Sequence, residues 1–316
     1  MKIKILDAAT LGEDIDLSSI TSMGDVMVYD RTPADMVEER ISDAEVIVLN
    51  KIKVSGDNLS GAKNLKLICI TATGYDNVDV DYCRKRGIAV CNVCGYSTDS
   101  VAQLTVAAAL SLVMHIREYS EYVCDGSYTK SGVQNYLKPA FHELSALTWG
   151  IAGYGNIGKR VSEVAKALGS KVIAYKRTPT DGVQCVDIDT LCRESDIISV
   201  HLPLNSDTQK LINKERLEMM KPSAILVNVA RGAVIDEAAV RDAIINKSIG
   251  GFATDVYSVE PLQEDSPLRD LLGYENVLFT PHMAWGAFES RMRCMDEIRK
   301  NIEAFFRGEI RNRVDL

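Results

Sequence analysis

The stretch "WGIAGYGNIGKRVSEVAKALG", residues 149–169, decides how the rest of the chain is read. An apolar run ends at Ala152, and glycines follow at 153, 155 and 158 in the order G-x-G-x-x-G. Ile157, Val161, Val164 and Leu168 then recur at helical spacing up to Gly169, a suitable helix C-cap. Glycines in this order are common by chance, but between a strand and an amphipathic helix they mark a pyrophosphate-binding turn. Gly153 permits the tight turn, Gly155 lets a phosphate approach the backbone, and Gly158 lets the helix pack on the strand. The helix N-terminus adds free N–H donors and a partial positive charge.

On either side of this stretch the chain repeats one rhythm, a short apolar run followed by a polar helical stretch. The first series is "KIKIL", "VMVY", "EVIVL", "LKLICI" and "GIAV"; the second is "TWGIAG", "KVIAY", "DIISV", "AILVN", "GFATDV" and "VLFTPH". This is the spacing of β-α units in mostly parallel sheets, and two series predict two α/β domains. A helix over about 97–118 bridges them. A second amphipathic helix is expected over about 286–308, with Met292, Met295, Ile298, Ile302 and Phe305 on its core face.

At 316 residues and 46% hydrophobic composition, the chain can bury two ordinary cores. A net charge of -8 and a pI near 5.2 give no overall pull towards nucleic acid or an anionic membrane. The start, "MKIKILDAAT", lacks the apolar block of a signal peptide. The longest near-apolar stretch, "VAQLTVAAALSLVMHI", is interrupted by Gln103, Thr105, Ser111 and His115, as suits a buried helix rather than a membrane span. Cys91 and Cys94 have the C-x-x-C spacing, but without a second pair or spaced histidines no metal site is expected. Eight scattered cysteines suit a reducing cytoplasm.

"AYKRT", residues 174–178, ends the strand after the glycine turn. About 20 residues beyond such a turn an acid often binds the adenosine ribose hydroxyls. It would repel a 2'-phosphate by about 4 kcal/mol at an effective dielectric of about 20, or about 1 kcal/mol in water. Lys176 stands there instead, with Arg177 and Thr178 beside it, which reverses the sign and favours NADP(H) as the NAD(P)(H) form. The alternative is that both cations are solvated and NAD binds through backbone contacts.

Further on, "NVARGAVIDEAAV", "GFATDVYSVEP" and "LFTPHMAW" set out an arginine at a strand end, an acid beside a proline and a histidine on a later loop. A guanidinium matches a carboxylate and can polarise the adjacent carbonyl. Histidine can exchange the proton that accompanies hydride transfer, and a carboxylate partner orients it and favours its protonated form. Their spacing orders these groups along the chain without showing that they converge. His115 and His142 read as structural.

Taken with "ICITATGYDNVDVDYCRKRGIAVCNVCGYSTDSVAQ", "DIISVHLPLNSDTQKLIN" and "MKPSAILVNVARGAVIDEAAV", these motifs run through nearly the whole chain. Together they resemble the D-isomer-specific 2-hydroxyacid dehydrogenase family. "GYST", the "NK" after the third strand and "PHMAW" are most similar to its glycerate dehydrogenase, or hydroxypyruvate reductase, branch. The resemblance implies two Rossmann or flavodoxin-like parallel-sheet domains with an active-site cleft between them. A discontinuous substrate-binding domain would comprise 1–97 plus 286–316, and a dinucleotide-binding domain 98–285.

The same resemblance implies catalytic roles for Arg231 on the substrate, Glu260 on the histidine and His282 as general acid/base. Thr73 and Gly74 would receive the substrate carboxylate, with Lys51 a further candidate. Gly153, Gly155, Asn156, Ile157 and Gly158 would hold the pyrophosphate, and His201, Leu202, Pro203 and Thr208 the adenine side. Ala230 and Asp255 would meet the nicotinamide carboxamide. The departure from the family pattern is Lys176, where many members carry Asp.

The expected activity is hydride transfer between the nicotinamide cofactor and a small 2-oxo or 2-hydroxy acid, with hydroxypyruvate and glyoxylate the leading substrates. The expected assembly is a cytoplasmic homodimer without nucleic-acid or membrane partners, and the bridging helix with the segment 121–149 is the candidate dimer arm. Alternatives are a nucleotide-sensing corepressor of the same fold and another member such as 3-phosphoglycerate dehydrogenase. A formate dehydrogenase is disfavoured, because that branch carries an amide where Glu260 stands.

Overall fold

Strands apolar at every position are stable only where both faces of the sheet are covered. In the computed structural model, which describes every residue except Pro179, β3 (Val46–Leu49) and β4 (Leu67–Ile70) are buried throughout. They lie in a parallel sheet with β1 (Lys2–Ile5), β2 (Asp25–Val28) and β5 (Ala89–Cys91), in the order β2-β1-β3-β4-β5. This is the flavodoxin-like order. One face packs against Val37, Ile41, Leu59 and Cys83, and the other against Cys294, Met295, Ile298 and Ile302 of the helix Phe288–Phe306. That helix therefore completes a unit formed by Met1–Ser97 and Trp285–Leu316.

Met292 departs from the expected core stripe. It is 36% exposed, whereas Met295, Ile298 and Ile302 are sealed. Cys91 is buried in β5 and donates its thiol to the Arg311 carbonyl at 3.3 Å, while Cys94 is exposed.

The second unit, Thr98–Ala284, carries a seven-stranded sheet. Its strands are β6 (Thr148–Ala152), β7 (Lys171–Tyr175), β8 (Gln184–Cys185), β9 (Ile197–Val200), β10 (Ile225–Asn228), β11 (Gly251–Thr254) and β12 (Val277–Phe279). They pair in parallel in the order β12-β11-β10-β9-β6-β7-β8. The two-residue β8 has too little apolar pattern to be read from sequence. The order reverses between β6 and β9, and ligands of open α/β sheets bind at the strand C-termini beside such a switch point.

Two expectations on this unit need correction. The helix expected over 97–118 is two helices, Thr98–Val113 and Ile116–Cys124, bent by 60°. His115 sits between them at φ 50°, a left-handed conformation that cannot continue a right-handed helix, and its Nδ1 lies 2.9 Å from Glu118 Oε2. Leu168, expected on the buried face of the helix after the glycines, is 43% exposed because that helix, Asn156–Ala167, has already ended. Among the described residues no single helix is long and apolar enough to cross a membrane.

Candidate active site

Gly153 adopts φ 106°, and a Cβ there would stand 2.7 Å from the His201 carbonyl oxygen. Only glycine lets the loops after β6 and β9 meet in this way. A Cβ at Gly158 would lie 2.1 Å from the Gly153 carbonyl oxygen and 2.9 Å from Ile151 Cγ2. The helix that begins at Asn156 and Ile157 can therefore sit on the strand only because Gly158 has no side chain. Gly155 differs from both, since a Cβ there would meet nothing within 4 Å. Packing within the protein does not demand this glycine. The open space lies at the helix N-terminus, where backbone N–H groups and the helix dipole attract phosphate, so the turn fits a dinucleotide.

His201 follows β9. Trp149 Nε1 donates to Ser199 Oγ at 2.9 Å, and Ser199 Oγ lies 3.0 Å from His201 Nε2. The Ser199 hydroxyl, with one donor and two acceptor sites, can pair with either tautomer of the ring. Nδ1 is sealed and has no partner among the described residues, a second feature that a bound polar group would relieve. Burial pulls the imidazole down to about 3.

Leu202 is half-buried and Pro203 exposed. Thr208 is buried, with its hydroxyl donating to the Pro203 carbonyl at 2.6 Å and accepting from Asn205 N–H at 2.9 Å, so it closes the loop it belongs to. Past β7, Lys176 is half-buried, and Arg177 and Thr178 are exposed. Ion pairs elsewhere in this unit, such as Arg216 with Asp189 and Lys221 with Asp196, engage no cation of this trio.

The polar groups of the later motifs follow three adjacent parallel strands. Arg231 comes after β10, Glu260 after β11 and His282 after β12, so all lie past the same edge of the sheet. Asn228, fully buried at the end of β10, donates to the Arg231 carbonyl at 3.0 Å and accepts from Ala230 N–H at 3.1 Å. The Arg231 guanidinium donates to the Ala230 carbonyl at 2.9 Å. A Cβ at Gly232 would stand 2.0 Å from the Tyr257 carbonyl carbon, so the arginine turn packs directly against the loop leading to Glu260.

His282 Nδ1 lies 2.6 Å from Glu260 Oε2, while Glu260 Oε1 accepts from Tyr257 N–H at 3.1 Å. The histidine itself holds φ 52°, an uncommon backbone conformation for a side chain of this size. What holds it is Asp255, 1% exposed, whose Oδ1 accepts from Thr280 Oγ1 at 2.6 Å and Met283 N–H at 2.9 Å, and whose Oδ2 accepts from Ala284 N–H at 2.8 Å. Oδ2 keeps acceptor capacity for a ligand donor. The Tyr257 phenol donates to the Thr280 carbonyl at 2.9 Å, and burial, then the carboxylates of Asp255 and Glu260, push it up to about 12, so it stays a donor. Sequence reasoning missed Asn228, Gly232, Tyr257 and Ser199. Only the glycine directly after Arg231 offered a signal.

Beside these strand ends, a cavity of about 210 Å³ runs between the helix Thr98–Val113 and β10–β12, with Leu104, Ala108 and Val227 along it and Asp255 and Thr280 at one end. In the first unit, Asn50 and Lys51 donate backbone N–H groups to the buried Asp7 carboxylate, at 2.9 and 2.7 Å. That anchors the loop at the switch point between β1 and β3, and the Lys51 side chain is exposed. Thr73 is exposed and Gly74 half-buried on the loop after β4. His142 lies exposed rather than in a structural setting.

The family model for the D-isomer specific 2-hydroxyacid dehydrogenase NAD binding domain matches residues 106–284. A hydroxypyruvate reductase of Blautia hydrogenotrophica is 35% identical over 317 residues, covering 98% of each chain. A glycerate dehydrogenase of Methylorubrum extorquens is 38% identical, covering 90% of this chain and 89% of its own. Among solved structures, D-lactate dehydrogenase from Aquifex aeolicus, complexed with NAD and lactic acid, aligns with a TM-score of 0.88 at 29% identity, covering 100% of this chain and 99% of its own.

The buried imidazole of His201 has a consequence for stability. Its folded value of about 3 lies below the ordinary 6.5, so the unfolded chain takes up a proton that the folded chain refuses. Its contribution is intact above that ordinary value and declines as pH falls towards the folded one, by up to about 1.4 kcal/mol per pH unit. Replacing His201 with Gln is expected to flatten the dependence of unfolding free energy on pH in this acid window by about one proton. Coincident slopes for the two proteins would contradict the sealed, neutral imidazole.

Proposed function

Because the chain belongs to the D-isomer-specific 2-hydroxyacid dehydrogenase family, an NAD(P)-dependent oxidoreductase family, we propose that it reduces hydroxypyruvate or glyoxylate, reversibly, to D-glycerate or glycolate. The observation that carries this reading is the 2.6 Å contact between His282 Nδ1 and Glu260 Oε2, formed past the same sheet edge as Arg231. The two relatives named above, a hydroxypyruvate reductase and a glycerate dehydrogenase, support the hydroxypyruvate–glycerate pair.

In this mechanism Arg231 binds the substrate carboxylate and polarises the carbonyl oxygen at C2. In the first unit, backbone N–H groups at Thr73 and Gly74 are the proposed donors to an oxo-acid carboxylate, with Lys51 adding positive charge. When bound, the nicotinamide nucleotide supplies the hydride that C2 receives. Glu260 holds Nδ1, which leaves His282 Nε2 to give its proton to the new hydroxyl and to take it back in the reverse direction. The glycine turn with Asn156 and Ile157 holds the pyrophosphate. His201, Leu202, Pro203 and Thr208 flank the adenine, and Ala230 and Asp255 take the carboxamide.

A general acid contributes about 10²–10⁴ in rate, so His282→Ala should lose at least about 100-fold in kcat while nucleotide affinity stays within about twofold. Arg231→Ala should also raise the KM for the oxo acid. Retention of most turnover by His282→Ala, followed at 340 nm, would sink the assignment. No turnover of hydroxypyruvate, glyoxylate or pyruvate by the unmodified protein would favour the corepressor alternative.

We propose NADP(H) as the preferred nucleotide, with Lys176 and Arg177 meeting the 2'-phosphate and Thr178 donating to it. The support is a cationic strand end with which, among the described residues, no acid of its own unit forms an ion pair. Lys176→Asp should lower the ratio of kcat/KM with NADPH to that with NADH by at least about tenfold, the equivalent of about 1.4 kcal/mol. A strong NADH preference in the unmodified enzyme is the contrary result.

The assembly we propose is a cytoplasmic homodimer. Val123, Val133, Tyr136, Leu137 and Phe141 are 40–69% exposed within one short segment, beside a Tyr122–Tyr136 stack at 3.9 Å. A patch of this kind is characteristic of protein contact. Eight free thiols suit a reducing compartment. Light scattering should give about twice the 34.8 kDa chain mass, and Leu137→Asp should shift it to one chain mass. A monomer without substitution would exclude the dimer.

A further inference from the structure

Asn92, directly after β5, is 4% exposed, and hydrogen bonds within the first unit occupy it on every side. Its Nδ2 donates to the Thr73 carbonyl at 2.7 Å. Its backbone N–H donates to the Asn312 carbonyl at 3.2 Å, and its own carbonyl accepts from Asn301 Nδ2 at 3.0 Å. Asn301, 1% exposed on the helix Phe288–Phe306, receives Arg311 Nη1 at 2.6 Å and Asn312 Nδ2 at 2.9 Å on its Oδ1. The adjoining segment is bolted to the same loop, for Thr73 Oγ1 donates to the Val93 carbonyl at 2.8 Å and Val93 N–H to the Ala72 carbonyl at 3.0 Å.

The Thr73 carbonyl and the Gly74 N–H belong to one planar peptide and point in opposite directions. Whatever holds the carbonyl oxygen therefore aims the N–H. We propose that Asn92 is a positioning residue for oxo-acid binding. Its bond to the Thr73 carbonyl fixes the peptide whose Gly74 N–H receives the substrate carboxylate, and Asn301 with the C-terminal segment fixes Asn92. This rests on the assignment of the Gly74 amide to the carboxylate. It adds a residue that does not itself touch substrate.

The geometry explains why a buried amide, and not another apolar side chain, follows β5. The side-chain amide reaches the Thr73 carbonyl, which an apolar residue would leave without that donor, while the bonds to Asn301 and Asn312 hold the Asn92 backbone in place.

The test measures KM and kcat for hydroxypyruvate and, by nucleotide fluorescence, the Kd of the reduced cofactor. Asn92→Asp keeps the shape but replaces the donor facing the Thr73 carbonyl with an acceptor that repels it. Gly74→Pro removes the proposed carboxylate donor itself. The expected result is a rise in KM of about tenfold for both, with kcat within about threefold and cofactor Kd within about twofold for Asn92→Asp.

A raised KM for Gly74→Pro with an unchanged KM for Asn92→Asp overturns the positioning role while the carboxylate assignment stands. Unchanged KM in both variants removes the carboxylate assignment, and the proposal with it. A parallel loss of KM, kcat, cofactor affinity and thermal stability in Asn92→Asp marks a purely structural residue and also overturns it. Should Asn92→Asp fail to fold, Asn301→Ala decides in its place. A KM rise with preserved kcat and cofactor Kd supports the proposal, and an unchanged KM overturns it.

Discussion

The carboxylate of Asp255, sealed from solvent, gathers the Thr280 hydroxyl and the amides of Met283 and Ala284, and the loop after β12 has its shape because of that gathering. His282 lies inside this loop at φ 52°, which costs a residue with a side chain about 1–2 kcal/mol. Hydrogen bonds to a charged acceptor contribute about 1.5–3 kcal/mol each, so three of them outweigh that cost. The result is an imidazole whose Nδ1 faces Glu260 at 2.6 Å. Tyr257, donating to the Thr280 carbonyl, braces the loop from the side that also supplies Glu260 with its backbone N–H.

The same economy governs the rest of the second sheet's edge. Gly153 and Gly158 are glycines because neighbouring backbone fills the space where a Cβ would stand, and Gly232 because the Tyr257 backbone does so. Of these four, Gly155 is the one that faces open space. Three glycines therefore assemble the scaffold, and one leaves room for the phosphates the scaffold attracts. In the first unit the corresponding work falls to buried polar side chains, with Asp7 collecting the amides of Asn50 and Lys51, and Asn92 holding the Thr73 carbonyl.

The sheets were legible because parallel strands leave a simple trace: runs such as "VIVL" and "LICI" are apolar at every position. The phosphate turn was legible for the same reason, since its glycines fall between a strand and an amphipathic helix. Where local pattern competes with tertiary geometry, the trace fails. His115 interrupts a helix whose apolar spacing continues past it, and Leu168 keeps the helical period one residue after the helix has ended. Arg231, Glu260 and His282 could be ordered from sequence and named only through the family resemblance. What brings their loops together is Asn228, Gly232 and Asp255, whose effects act across strands distant in sequence. Asn92 was invisible for a related reason, as its side chain serves a backbone carbonyl that no periodicity describes.

If the loop anchored by Asp255 is what aims His282, disturbing the anchor should slow the chemical step without emptying the cofactor site. Asp255→Asn keeps one acceptor oxygen, and an amide able to pair with the carboxamide, but its Nδ2 cannot accept from Ala284 N–H. The direct measurement is the single-turnover rate of hydride transfer to hydroxypyruvate, followed by the loss of absorbance at 340 nm. A fall of about 100-fold, with cofactor affinity within a few-fold of the unmodified enzyme, is the predicted result. An unchanged rate would contradict the view that Asp255 places the general acid.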